Sequence, residues 1–343
     1  MKAWQLHRVL DLSVEKNSLV LTDLPAPRPD AHELLIRISC CGVCHTELDE
    51  IEGRTPPPKY PIVPGHQVIG RVEALGERVS NFSVGDRVGV AWLFSSCGVC
   101  EYCLSGRENL CPQFRATGRD ADGGYAEYMV APAASVCLIP GEFEDVEAAP
   151  LLCAGAIGYR SLKLANVQDG QTLGLTGFGA SAHLVLKMSK SLYPNSEIIV
   201  FARSAEEQQF ARSLGAAWAG DTQSLPPYPA HAIIDTTPAW RPVVEALAHL
   251  RPGGRLVINA IRKEPNDREI LTTLDYPSHL WMEKEIKSVA NITAADVREF
   301  LDLAARASIR PKTEVYSFEE ANQALWDLKN KHILGAKVLR ITP

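Results

Sequence analysis

The chain has 343 residues and nine cysteines, at positions 40, 41, 44, 97, 100, 103, 111, 137 and 153. Four of them, Cys97, Cys100, Cys103 and Cys111, follow C-x2-C-x2-C-x7-C. Two-residue separations turn neighbouring thiolates toward one centre, and the longer return lets the fourth close a tetrahedron. Four sulfurs with no open position make a structural zinc site, which contributes folding energy and no chemistry. An iron–sulfur cluster uses related spacings, and four buried thiols are the plain alternative. The odd cysteine count, the tight clustering and an opening MKAWQLHRVL without a signal-peptide core fit a disulfide framework poorly. They fit thiolate metal ligation well.

A second, different metal site is suggested by Cys40-Cys41-Gly42-Val43-Cys44-His45-Thr46-Glu47 and Pro64-Gly65-His66-Gln67. A catalytic zinc needs three protein ligands and one position left for water or substrate. Cys44 and His66 are two candidates, and Cys153, within Leu151-Leu152-Cys153-Ala154-Gly155-Ala156, is a third. Taken singly, each also fits a bland role. A lone cysteine in an apolar stretch is a small core residue, and a lone histidine among glycines and hydrophobics is a hydrogen-bonded structural one.

Cofactor chemistry is written in Gly174-Leu175-Thr176-Gly177-Phe178-Gly179-Ala180-Ser181-Ala182. Read as G-x-G-x-x-A, Gly177 makes the tight turn and Gly179 lets a pyrophosphate approach the backbone. Ala182 then permits close helix packing, with the phosphates at the helix N-terminus. An acidic residue at the end of the next strand would bind the adenine ribose 2′-hydroxyl. Here SEIIVF runs into Ala202-Arg203-Ser204, with no carboxylate before Glu206. Arg203 offers a planar fork for a 2′-phosphate and Ser204 a hydroxyl donor. NADP(H) is therefore favoured, with NAD(H) as the alternative; the bland reading of Arg203 is a solvated surface side chain.

These residues must be positioned by two kinds of structure. The first ~145 residues are rich in Gly, Pro and Val, and carry short alternating runs such as ELLIRISC, VIGRVEAL and DRVGVAWL between turns, which predict β-strands. From about Leu151 strands alternate with helices: TLGLTG, ASAHLVLKMSKSL, SEIIVFARS, EEQQFARSLGA, HAIIDTT, VVEALAHL and GGRLVINA. That alternation predicts a parallel, doubly wound sheet. The chain ends in the strand-like AKVLRI. With 46% hydrophobic and 22% charged residues, the composition is that of a globular protein. A net charge of −6 argues against a sequence-independent grip on nucleic acid, and no apolar run reaches the ~18 residues of a membrane span. A cytoplasmic protein is expected.

Together these segments resemble the zinc-containing, medium-chain alcohol dehydrogenases. CGVCHTELD, GHQVIGRVEALG, VGDRVGV, the four-cysteine lobe, GGYAEY, LLCAGAIGY, TGFGASA and RPGGRLV occur in that family's order across essentially the whole chain. The resemblance implies an α/β protein with a GroES-like β-rich catalytic domain in residues 1–149 and 286–343. It places a structural zinc lobe at 95–113 and a Rossmann cofactor domain at 150–285, with a cleft between the domains. It assigns Cys44, His66 and Cys153 to the catalytic zinc and Cys97, Cys100, Cys103 and Cys111 to a second, structural zinc. Thr46 matches the hydroxyl that takes the substrate's proton, His45 a basic position near the cofactor phosphates, and Trp92 an aromatic lining the substrate pocket. Lys337 matches a cation at the pyrophosphate.

Three departures stand out. The usual acidic residue after the zinc histidine is Gln67, so a zinc with two thiolates and a neutral imidazole loses a nearby negative charge and should ionise a bound alcohol more readily. The aspartate that orients the zinc histidine is Glu47, one methylene longer, so its hydrogen bond is expected to be re-aimed or to pass through a neighbour. The histidine that ends a proton relay in some members is Asp49, leaving Asp49, the cofactor ribose or water as the exit.

The function so implied is hydride transfer between a primary alcohol or its aldehyde, a small molecule, and a nicotinamide, in a homodimer or homotetramer built through the cofactor domain. A polyol or secondary-alcohol dehydrogenase of the same superfamily is one rival. A non-catalytic nucleotide-binding relative is another, against which the intact Cys44, Thr46, His66 and Cys153 argue. A zinc-finger reading of the lobe lacks a basic stripe.

Overall fold

The computed structural model describes residues 1–331 and 335–342. It divides into two compact units. The first comprises Met1–Cys153, Ile292–Ala305 and the described residues from Arg310 onward; the second comprises Ala154–Asn291 and Arg306–Ile309.

In the first unit, β1 (Lys2–Gln5) and β2 (Val20–Asp23) pair antiparallel. The long β3 (Glu33–Val43) alternates buried and less buried residues until its last four, Cys40 to Val43, which are all buried. That switch marks where the strand stops facing water on one side and enters the core. β3 pairs antiparallel with β4 (Val68–Leu75), which pairs in turn with β5 (Arg87–Val90). Short β6 (Leu93–Ser95) and β7 (Arg115–Ala116) form a ribbon on either side of the four-cysteine lobe. β8 (Tyr128–Pro132) pairs with β3, and β9 (Val136–Leu138) with β5.

The second unit holds a six-stranded parallel sheet. Its strands are β10 (Leu173–Thr176), β11 (Ile198–Phe201), β12 (Trp218–Gly220), β13 (Ala230–Asp235), β14 (Leu250–Ile258) and β15 (Glu285–Ser288), in the order β12-β11-β10-β13-β14-β15. LGLT and IIVF are buried throughout, as strands covered on both faces must be. The crossover from β10 to β11 and the reversal of order at β10 and β13 are those of a doubly wound sheet. The chain then returns to the first unit with β16 (Thr313–Ser317) and β17 (Ala336–Arg340); β17 lies antiparallel to β3.

One expected boundary is corrected. β15 pairs residue for residue with β14, from Arg255↔Glu285 to Ile258↔Ser288. A cut at residue 286 would divide a strand whose hydrogen bonds belong to the parallel sheet, and the chain leaves that unit after Asn291. Among the described residues no helix is long and apolar enough to cross a membrane.

Candidate active site

Among the described residues, two clusters of metal-ligating atoms form, and each gathers within 4.8 Å: Cys44, His66 and Cys153, and the four cysteines of the lobe. All the cysteines are free thiols.

Cys44 is carried by the end of β3 into α1 (His45–Ile51), of which it is the N-cap. A sulfur at that place meets the positive end of the helix, which favours its thiolate form. Three residues into the helix, Glu47 Oε2 accepts the Cys44 backbone N–H at 2.8 Å. The other Glu47 oxygen, Oε1, lies 2.5 Å from His66 Nδ1. The longer acidic side chain is thus not re-aimed: it reaches the histidine directly and clamps the helix start with its second oxygen. This bond on Nδ1 leaves Nε2 as the ligating nitrogen. Burial opposes charge on His66, and the Glu47 carboxylate overrides it, lifting the imidazole well above its ordinary pKa.

His66 follows a turn that only glycine allows. Gly65 has φ of +101°, and a Cβ there would lie 2.5 Å from the Tyr125 ring. The Trp92 ring meets His66 edge-on, with centroids 5.0 Å apart. Gln67 is buried, its side chain lying across Gly42, where a Cβ would come within 2.6 Å of Gln67 Oε1.

Cys153 stands on a widened turn. Helix α3 (Asp145–Pro150) ends at Pro150, which lacks the N–H that a regular helix needs. The chain passes into a π-helical turn, Leu151–Gly155. Such turns re-aim side chains and recur at functional sites. Here Cys153 Sγ comes 3.2 Å from His66 Nε2 and 4.0 Å from Cys44 Sγ. The two sulfurs oppose each other's ionisation: Cys153 is pushed up by its hydrogen bond to Cys44 and by burial, and Cys44 is held down by the same bond.

A zinc at ~2.3 Å from sulfur and ~2.0 Å from nitrogen sets tetrahedral ligands roughly 3.5–3.8 Å apart. The trio brackets those separations, and its three donors leave a fourth position. The residues therefore fit a catalytic zinc, which would let both thiols ionise together. Thr46 Oγ1 lies 3.7 Å from Cys44 Sγ. His45 is exposed at the first position of α1.

In the lobe, Cys103 Sγ is 3.8 Å from Cys97 Sγ and 3.6 Å from Cys100 Sγ. Cys97 is held down to about 6 by backbone N–H groups, chiefly of Val99 and Cys100. The short α2 (Glu101–Leu104) in this lobe buries no residue, so four sulfurs closed on one ion fit it better than apolar packing does.

In the second unit Gly177 has φ of +75°, and a Cβ there would meet Thr237 at 2.8 Å. The glycine turn and the end of β13 are in contact. Gly179 caps the helix Ala180–Leu192, and a Cβ on it would meet nothing within 4 Å, so the space before this N-terminus is open. Ala182 is fully buried. Arg203 is exposed at the end of β11. Ser204 caps the helix Ala205–Ser213 by accepting the Glu207 N–H at 3.1 Å, which leaves its own O–H to donate.

Two expected roles meet a different arrangement. Lys337 on β17 is 1% exposed, and its ammonium is engaged by Glu314 Oε2 at 2.6 Å and by the Tyr316 hydroxyl. Its ammonium is thus already paired inside the first unit. Asp49 Oδ1 accepts Arg54 Nε at 2.6 Å, so this carboxylate is occupied by a guanidinium. Two groups escaped the sequence reading. Asp235, fully buried at the end of β13, accepts from Thr176 Oγ1 at 2.6 Å, Thr237 Oγ1 at 2.8 Å and Lys263 Nζ, bracing the chain beside Gly177. Glu50, the other, is buried in the last turn of α1; its signal was its i+4 spacing from Thr46.

Residues 30–141 match the alcohol dehydrogenase GroES-like domain family. A probable alcohol dehydrogenase of Mycobacterium tuberculosis is 43% identical over 99% of this chain and 97% of its own length. The chain belongs to the zinc-containing, medium-chain alcohol dehydrogenases. An alcohol dehydrogenase of Geobacillus stearothermophilus shares 35% identity with it over 95% of this chain and 96% of its own. Among solved structures, a cinnamyl alcohol dehydrogenase of Sorghum bicolor superposes on this dehydrogenase with a TM-score of 0.82 at 26% identity, covering 99% of this chain and 97% of that one.

Proposed function

We propose that this alcohol dehydrogenase interconverts primary alcohols and their aldehydes, holding a catalytic zinc on Cys44, His66 and Cys153 and preferring NADP(H). The observation that carries the reading is the three-donor cluster with a fourth position open and the Thr46 hydroxyl beside Cys44. When bound, the zinc supplies Lewis acidity at the alcohol or aldehyde oxygen and the nicotinamide takes or returns the hydride. The chain's own residues do the rest. Glu47 fixes the tautomer and aim of His66. Thr46 takes the alcohol's proton in oxidation and returns it in reduction. Trp92, against His66, gives the substrate an apolar wall. The related cinnamyl alcohol dehydrogenase supports aromatic members of this class. A second zinc on Cys97, Cys100, Cys103 and Cys111 is structural.

Gly177, Gly179 and Ala182 seat the pyrophosphate at the start of the helix Ala180–Leu192, and the family resemblance gives His45 the role of a basic group for the cofactor phosphates. Arg203 and Ser204 receive the 2′-phosphate. A homodimer or homotetramer through the second unit, in a cytoplasmic setting, completes the reading. Its support is β15, an edge strand with all four residues exposed, beside exposed Trp281 and Met282.

Initial rates of NADPH and NADH oxidation with a panel of aldehydes test this. NADPH is expected to be preferred, with Arg203→Asp moving the kcat/KM ratio toward NADH by about tenfold or more, roughly 1.4 kcal/mol. A preference for NADH in the wild-type protein, or a ratio unmoved by Arg203→Asp, contradicts the cofactor assignment.

A further inference from the structure

Glu50 has no part in the chemistry above, yet it is 1% exposed, and neither carboxylate oxygen meets a hydrogen-bonding group of the protein. Burying a carboxylate without donors is costly, so packing alone gives no reason to keep one there. Its position on α1 supplies a reason. Glu50 follows Thr46 by four residues and Glu47 by three, which puts the three side chains on one face of the helix. Helical side chains lean toward the N-terminus, so this carboxylate reaches back over the turn that carries the Thr46 hydroxyl. The neighbouring carboxylate on the helix, Asp49, is occupied by Arg54.

We propose that Glu50 is the acceptor for the substrate's proton, reached from Thr46 through one intervening water. The inference rests on the dehydrogenase reading above. In alcohol oxidation the substrate O–H bond breaks and its proton goes to Thr46 Oγ1. The Thr46 proton passes to the water, and a water proton passes to Glu50, which becomes a neutral acid. The C–H electron pair would leave with its hydrogen as hydride to a bound nicotinamide, the oxidant of the dehydrogenase reading, and leave the carbonyl. Aldehyde reduction runs the same chain backwards.

The groups around Glu50 suit this exchange. Glu47 on the same helix and Cys44 at its start repel a second negative charge, while His66 and Arg119 attract it. Tyr60 and Tyr125 also face it. Burial and the Glu47 charge together push the Glu50 carboxyl well above the usual range, which brings it toward the pH at which a working base operates. Arg119 follows Gly118, which packs on Gly65, and its Nε is buried without a partner. Its Nη1 is paired with Asp120 at 3.3 Å, so the buried Nε–H is the donor of this guanidinium left uncommitted beside the ionised form. Because the shift is upward, Glu50 accepts protons only above its raised pKa, and oxidation slows as pH falls through it.

The test compares wild type, Glu50→Gln and Glu50→Asp as zinc-loaded, full-length proteins oxidising benzyl alcohol across pH, in H2O and D2O. Glu50→Gln keeps shape and polarity but accepts no proton. Its kcat is expected to fall about 10²-fold above the wild-type pKa, with the acidic limb of the pH profile lost, the solvent isotope effect raised, and zinc content and cofactor KM unchanged. Glu50→Asp keeps the limb at a lower rate. An unmoved profile in Glu50→Gln, or equal losses in the two variants, overturns the relay. Should Glu50→Gln fail to fold, Glu50→Asp decides alone: a retained limb with a raised solvent isotope effect supports the relay, and a wild-type isotope effect overturns it. A wild-type protein that oxidises no alcohol overturns the dehydrogenase reading and the relay with it. Wild-type turnover with an unmoved Glu50→Gln overturns the relay alone.

Discussion

Replacing Cys153 by serine is expected to reduce alcohol oxidation at least ~10³-fold, about 4 kcal/mol of transition-state stabilisation, while leaving the protein folded. A serine hydroxyl is a poor zinc ligand at neutral pH, so Cys44 and His66 would be left to hold the ion alone. The fold survives because the π-turn is anchored by its neighbours, Leu151 and Leu152, both fully buried. Circular dichroism and melting, read beside zinc content and kcat, check this. Global unfolding, or a zinc-depleted variant with wild-type kcat, contradicts the assignment of Cys153 to the catalytic metal.

Cys103→Ala has its largest effect elsewhere. The four-cysteine lobe is ordered with little apolar burial: Val99 and Leu104 are each 77% exposed, and α2 buries nothing. Without an ion the segment has little to set against its chain entropy. Structural zinc sites contribute about 10–16 kcal/mol of binding energy in small peptides, and even a fraction of that exceeds what this lobe's packing supplies. The variant is expected to lose one zinc per chain, to become protease-sensitive within 97–111, and to lose several kcal/mol of stability, about what removing a structural metal costs. The catalytic ion would stay. Protease resistance equal to wild type contradicts a structural zinc in the lobe.

Much of this was legible because metal ligation and phosphate binding leave local marks. The lobe's spacing, the glycine turn at Gly177 and the run of alternating strands and helices are short-range signals, and the fold gathers the same residues. Cys153 was different. In the sequence it is one cysteine in an apolar stretch, a third candidate ligand that the family resemblance then assigned to the metal; its placement depends on Pro150 and the widened turn beyond it. Glu47 shows the limit of judging a side chain by length alone, since its extra methylene lets one carboxylate serve both His66 and the Cys44 backbone. Lys337, read from motif position as a phosphate cation, is turned inward by Glu314 and Tyr316, which approach it from the parallel neighbour β16. No local pattern could reveal that pairing. Glu50 was overlooked because a glutamate on a short helix normally faces water, and only the packing around α1 makes it buried.

The most direct test of the central claim is a zinc titration. The protein is stripped by a chelator, zinc is returned stepwise, and alcohol oxidation is followed against metal bound per chain. Full rate is expected to require both clusters to be filled, with activity tracking occupancy of Cys44, His66 and Cys153. Full rate in protein whose three-ligand site holds no metal would contradict it.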